Sequence, residues 1–354
     1  MDPAVTARWD ELMDVLTHCG RLQLLVRLKE LGIPLPARQK AANEMGRMLR
    51  EGTADTVGLP VFEVDEASAK ATGAFEFDPY TFAEVLVPEK FALKGRPRRS
   101  KDMGMLDNQH LVLGTALLPP WPSECRTAVF AAGCFWGLEK GFWRLPGVHS
   151  TSAGFIGGFT PHPTYTECCT GLTGHTEAVL VVYDPERIAY VDLLRWFWQC
   201  HDPTQGMGQG KDRGTQYRSM IVTQDAAQHA LAQASLLAYQ RAIAGSGRTF
   251  TASRRITVEI VPPMSPTAPL PPPSSVFFYA EEYHMQYLAR PSSSPYCTAQ
   301  PLLIDLPPYA SWAPAGLGED ERASHAPRLS DAFWAKHAPE AHCALNRPNE
   351  PICL

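Results

Sequence analysis

Apolar positions along this chain change their spacing twice, and the changes mark three regions. Residues 3 to about 52 carry apolar side chains at helical spacing: Leu12, Val15 and Leu16, then Leu22, Leu25, Leu28 and Leu31. Pro34 and Pro36 interrupt that run, and Ala37 to Glu51 predicts a third helix ended by Gly52. Residues 53–105 mix short apolar pieces with polar stretches, and the basic cluster Lys94 to Lys101 reads as a solvated linker.

From about residue 124 to 290 strand-like and helical patterns alternate. The runs TAVFAA, SAGFIGGF, EAVLVVY, QYRSMIVT and RITVEIV predict strands. Helices are predicted from near Leu138 through Phe142, over VDLLRWFWQC, from Asp225 to Ala244, and over AEEYHMQYL. A proline-rich loop at 262–273 precedes that last helix. Beyond Ser292 the chain is rich in proline, weakly periodic, and predicts an irregular tail with little core of its own. The expected organisation is a mainly helical extension and linker over 1–106, an α+β domain over 107–300, and a proline-rich tail over 301–354.

Composition narrows the function classes. The chain has 354 residues, 45% of them hydrophobic and 10% aromatic, which is ample for a packed core. Its 32 basic and 37 acidic residues leave a net charge of −5, arguing against a nucleic-acid surface. No uninterrupted apolar run is long enough to span a bilayer, and MDPAVTARWDELMDVL is a poor secretory or transit segment. A cytoplasmic setting is therefore expected, with no membrane association. The nine cysteines (19, 125, 134, 168, 169, 200, 297, 343, 353) include no CxxC pair, so core or reactive thiols are expected rather than a disulfide framework or zinc site. Cys168, Cys169 and His175 make a poor metal set, because adjacent cysteines reach one tetrahedral centre badly. No metal and no cofactor are expected.

The candidate chemistry starts at GCFWG. Cys134 follows a strand and precedes a helix, where peptide dipoles and unpaired N–H groups favour a thiolate. Phe135 and Trp136 suit the walls of an apolar pocket; a core cysteine among aromatics is the alternative. Glu177 opens the apolar run AVLVVY, at a dry edge that would hold its carboxyl protonated as a proton donor. Tyr165 and Tyr217 stand beside polar turns from which phenols can reach the same pocket, and Asp212 sits beside Arg213 in a glycine-rich loop. A Cys–His–Asp hydrolase built from Cys134, His201 and Asp202 is a rival arrangement.

The stretches GCFWG, PTYTECCTGLTGHTEAV, HDPTQGMGQGKDRGTQYRS and YAEEYHMQYL, in that order, resemble the peptide methionine sulfoxide reductase A family. The resemblance covers roughly residues 107–297 and implies a two-layer α/β sandwich around a mixed β-sheet, the ferredoxin-like plait of that family. It also implies reduction of the S epimer of methionine sulfoxide, free and in proteins, by a monomer. Cys134 would be the nucleophile, Phe135 and Trp136 the methyl-binding walls, and Glu177 the acid, assisted by Tyr165 and Tyr217. Asp212 would organise the pocket, and thioredoxin or another dithiol would be the reductant. Cys297 would resolve the sulfenic acid, with Cys169, Cys343 and Cys353 as further recycling thiols. A non-catalytic redox sensor or sulfoxide-binding module using the same thiol is the alternative function.

Overall fold

The computed structural model describes residues 92–96, 108–247, 255–263, 276–291, 293–340 and 343–353, with isolated residues at 12, 86 and 89. The three helices expected before residue 53 lie outside the described residues, apart from Leu12.

A six-stranded sheet forms the centre. Its strands are β1 (Arg126–Ala131), β2 (Val148–Ile156), β3 (Thr176–Tyr183), β6 (Met220–Val222), β7 (Glu259–Val261) and β8 (Phe278–Tyr279), in the order β7-β6-β1-β3-β2-β8. Only β6 and β7 run parallel, so the sheet is mixed. A two-residue ribbon pairs β4 (Gly208–Gln209) with β5 (Asp212–Arg213).

Strand alternation divides the core between two faces. Ala128 and Phe130 of β1 join the large cluster on one face, and Val129 and Ala131 join a smaller cluster on the other. Helices α1 (Phe135–Trp143), α3 (Tyr190–Gln199) and α4 (Ala226–Gly245) bury their apolar sides in the large cluster. Phe130 stacks on Phe142 at 5.0 Å between ring centroids and meets Phe197 at 5.4 Å. The short α2 (Tyr165–Cys169) is fixed by a capping box, with Thr164 Oγ1 accepting from Glu167 N and Glu167 accepting from Thr164 N. The fold is α+β, as expected.

Three elements differ from the sequence reading. Helix α1 starts at Phe135 rather than near Leu138, which makes Cys134 its N-cap residue (φ −52°, ψ 123°). AEEYHMQYL is not an α-helix. It forms two 3-10 turns, Glu282–His284 and Tyr287–Ala289, broken at Gln286 with φ 48°. The break follows from a side chain: Glu139 Oε2 accepts the Gln286 N–H at 2.8 Å, so that donor is satisfied outside any helix ladder. The residues beyond 300 are irregular as expected, yet they do not lack a core. Leu302, Ile304, Leu306, Trp312, Phe333 and Trp334 are buried in the main cluster. Here α5 (Glu319–Ser324), α6 (Asp331–His337) and α7 (Cys343–Asn346) add short helices.

Candidate active site

The site is built where β1 turns into α1. Gly133 takes φ 89°, and a Cβ there would lie 2.6 Å from Gln209 Cβ, so the turn needs glycine to press against the HDPTQGMGQG loop. That turn presents Cys134, half-buried and without a disulfide, at the helix start. Glu177 approaches from β3, where it pairs with Phe155 of β2. Its carboxyl is 2% exposed and Oε2 accepts the Phe135 N–H at 2.9 Å.

Burial, working against the amide donors, sets the protonation of both groups. At the helix start Phe135 N–H goes to Glu177, while the Trp136 N–H favours the Cys134 thiolate electrostatically without closing a cap hydrogen bond. Burial outweighs both. It pushes the Glu177 carboxyl up to about 8. It also pushes the Cys134 thiol well above the usual cysteine range, and the nearby Glu177 charge adds to the effect. The acidic thiol expected from the helix N-terminus is thus corrected: the resting sulfur is a thiol, because a dry site costs a thiolate more than one amide donor returns. The protonated Glu177 agrees with the sequence reading.

Tyr165 and Tyr217 do reach this centre. Burial drives both phenols above the ordinary tyrosine range, and Glu177 and Cys134, when ionised, raise them further. The Tyr165 hydroxyl lies near the Cys169 sulfur, whose own thiol is pushed up to about 12 by burial. Phe135 is fully buried against Phe155 at 5.9 Å and Tyr165 at 6.4 Å. Trp136 is half-buried, with one ring face stacked on Tyr287 at 3.8 Å. Cys297 shares a small cavity with Cys134, Leu138, Trp196, Gln209 and Thr298. Cys353 is exposed and does not line that cavity, and Cys343 opens α7.

The rival hydrolase arrangement does not assemble. His201 Nδ1 donates to the Phe197 carbonyl at 2.8 Å and lies beside the Cys200 sulfur, while Asp202 accepts from Thr204 and Gln205 in its own turn. His175 is likewise engaged through both ring nitrogens, Nδ1 accepting from Gly158 N and Nε2 donating to the Thr160 carbonyl.

A family model described as peptide methionine sulfoxide reductase matches residues 126–305. The chain belongs to this family. It is 47% identical over 221 residues to peptide methionine sulfoxide reductase MsrA 1 of Synechocystis, covering 62% of this chain and 90% of the relative. It is 50% identical over 188 residues to the MsrA of Pseudomonas aeruginosa, covering 53% of this chain and 80% of that one. The solved methionine sulfoxide reductase A of Corynebacterium diphtheriae is similar with a TM-score of 0.50 and 43% identity, over 60% of this chain and 93% of that one. The activity is accordingly reduction of methionine sulfoxide.

Several residues around this reductase's site escaped the sequence reading. His284 Nδ1 accepts from the Trp136 indole N–H at 3.1 Å and holds that ring, so its Nε2 carries the proton. Glu139, fully buried on α1, accepts from Gln286 N, Gln286 Nε2 (2.7 Å) and Thr151 Oγ1 (3.1 Å). It thereby fixes the 284–287 segment that flanks Trp136. Asp212 does not end on open solvent either: Tyr296 donates its phenol to Oδ1, and Thr298 donates its hydroxyl to Oδ2 at 2.6 Å. The EEYHMQ motif and one carboxylate on a largely apolar helix were the available signals, and neither reveals its partners.

Proposed function

We propose that this enzyme reduces the S epimer of methionine sulfoxide, free and in proteins, through a sulfenic acid on Cys134. The Cys134 sulfur attacks the sulfoxide. A sulfur–oxygen bond forms at Cys134 as the substrate's S–O bond breaks, oxidising the cysteine sulfur by two electrons and reducing the methionine sulfur by two. Glu177 donates its proton to the sulfoxide oxygen, with Tyr165 and Tyr217 as hydrogen-bond donors, and regains a proton from the Cys134 thiol. Proton donation stabilises charge that develops on the leaving oxygen only in the transition state. Phe135 and Trp136 bound the space for the S-methyl group, and Asp212 supports the pocket.

A second thiol then condenses with the sulfenic acid, releasing water, and thioredoxin or a similar dithiol reduces the disulfide. Cys297 is the first choice for that thiol, since it lines the same cavity as Cys134. Cys169 is the second, and Cys343 and Cys353 are more distant relays. Residues 107–300 form the reductase domain, 1–106 an extension, and 301–354 a tail.

The observation that carries the reading is the Phe135 amide, which ties a protonated carboxyl to the residue beside the thiol. The test is methionine release from the separated S and R sulfoxides with dithiothreitol. Steady turnover of the S form, lost in Cys134→Ser, is the expected result. Equal use of both epimers, or activity retained in Cys134→Ser, overturns it. A single stoichiometric release followed by silence would favour the redox-sensor alternative.

A further inference from the structure

Both neighbours of Cys297 end on one carboxylate. Tyr296 occupies one oxygen of Asp212 and Thr298 the other, so the bonds straddle the cysteine. The same loop holds the segment twice more: Gln209 Oε1 accepts from Gln300 N at 3.1 Å, and Gln205 Nε2 lies 3.4 Å from Gln300 Oε1. The fit is tight, since a Cβ at Gly210 (φ 62°) would lie 2.1 Å from the Thr298 carbonyl oxygen. Tyr296 also sets its ring edge-on to Trp136 at 5.9 Å. The result is a short strap whose cysteine faces the cavity shared with Cys134.

We infer that Asp212, Tyr296 and Thr298 form a clasp that presents Cys297 to Cys134, making Tyr296 and Thr298 positioning residues for disulfide formation. This rests on the sulfenic acid route proposed above. The step itself balances: the Cys297 sulfur bonds to the Cys134 sulfur, the S–O bond of the sulfenic acid breaks, and the hydroxyl leaves as water with the Cys297 proton. Cys297 is oxidised and the sulfenic sulfur reduced. Holding two reacting sulfurs together removes the entropy of bringing them there, and bonds to a charged carboxylate are the stronger kind. Asp212 then serves the second step through the strap, apart from whatever it does in the first.

The test is single turnover with methionine S-sulfoxide and no reductant, following methionine, a dimedone adduct at Cys134 and the 134–297 disulfide. Tyr296→Phe with Thr298→Val keeps both shapes and removes both donors. The expected result is methionine released at the wild-type rate, disulfide formation slowed by roughly tenfold for each lost bond, and accumulation of the dimedone adduct. Thr298→Ser is expected to restore most of the rate, and the two single substitutions, which share one carboxylate, are expected to be non-additive. Unchanged disulfide formation overturns the clasp, as does an equal slowing of methionine release, which would mark general damage to the site. Absence of both methionine and adduct in the wild type would instead defeat the sulfenic acid route, and the clasp with it.

Discussion

In the proposed mechanism, Glu177 is the residue on which activity and stability pull in opposite directions. Its carboxyl, raised to about 8 by burial, is protonated in the folded chain at neutral pH, whereas the unfolded chain ionises near the ordinary glutamate value. A raised folded pKa means stability is fully present below the unfolded value and declines as pH rises toward 8. Glu177→Gln keeps the oxygen that accepts from Phe135 N–H, so it is expected to stabilise the protein at pH 7 by on the order of 3 kcal/mol. The same change is expected to lower kcat by about 10²-fold or more, as loss of a general acid does. Urea denaturation and kcat at pH 7 check the pair, and kcat of the wild type should fall as pH rises through about 8. Cys134 supplies a second prediction. Iodoacetamide reactivity should report an apparent pKa above that of a free cysteine, and Glu177→Gln should lower it by removing a repelling charge. An alkylation profile identical in the two proteins would refute the coupling.

At the scale of elements, α1 acts as a bracket. One end carries the thiol, and five residues on Glu139 reaches across to the 284–287 segment. All three of its partners donate, which suits a carboxylate and not an amide. His110 extends the chain: its Nδ1 accepts from Val112 N and Leu113 N, so Nε2 donates to Thr151 Oγ1 and Thr151 donates to Glu139. Glu139→Gln would turn an amide hydrogen toward a donor inside this closed network and is expected to cost about 1–3 kcal/mol in urea denaturation. It should also alter Trp136 emission, because the ring loses its fixed neighbours His284 and Tyr287. The helix expected over AEEYHMQYL failed on this point: its local pattern is helical, but a buried carboxylate from another element claims the Gln286 amide. By contrast α4 was legible in full, since Asp225 caps it from the sequence side by accepting from Gln228 N at 2.7 Å.

Across the described residues, segments outside the central sheet are anchored to the domain by part-buried and buried groups. At the N-terminal side Arg96 forks onto both Glu167 oxygens, at 3.0 and 2.7 Å, beside α2 and Tyr165. At the C-terminal side Asp192 accepts from Ala189, Arg328 and Leu329 amides, and Trp334 lies 1% exposed under the Arg195 guanidinium. Trp334→Ala is expected to cost about 3–5 kcal/mol, as removal of a large core aromatic does, with a lower urea midpoint as the readout. A change confined to tenths would show that the tail merely lies on the domain. None of the described helices is long and apolar enough to cross a membrane.

What the sequence determined alone was the order of β1, β2, β3, β6 and β7 and of α1, α3 and α4, the place of Cys134 at a strand-to-helix turn, and a carboxyl dry enough to hold its proton. Those follow from spacing and from neighbours in the chain. Three matters were decided only by tertiary structure: that burial keeps the Cys134 thiol protonated, that Asp212 ties down the strap around Cys297, and that the proline-rich tail completes the core. Each depends on groups tens to hundreds of residues apart meeting out of water, and local pattern carries no record of such meetings.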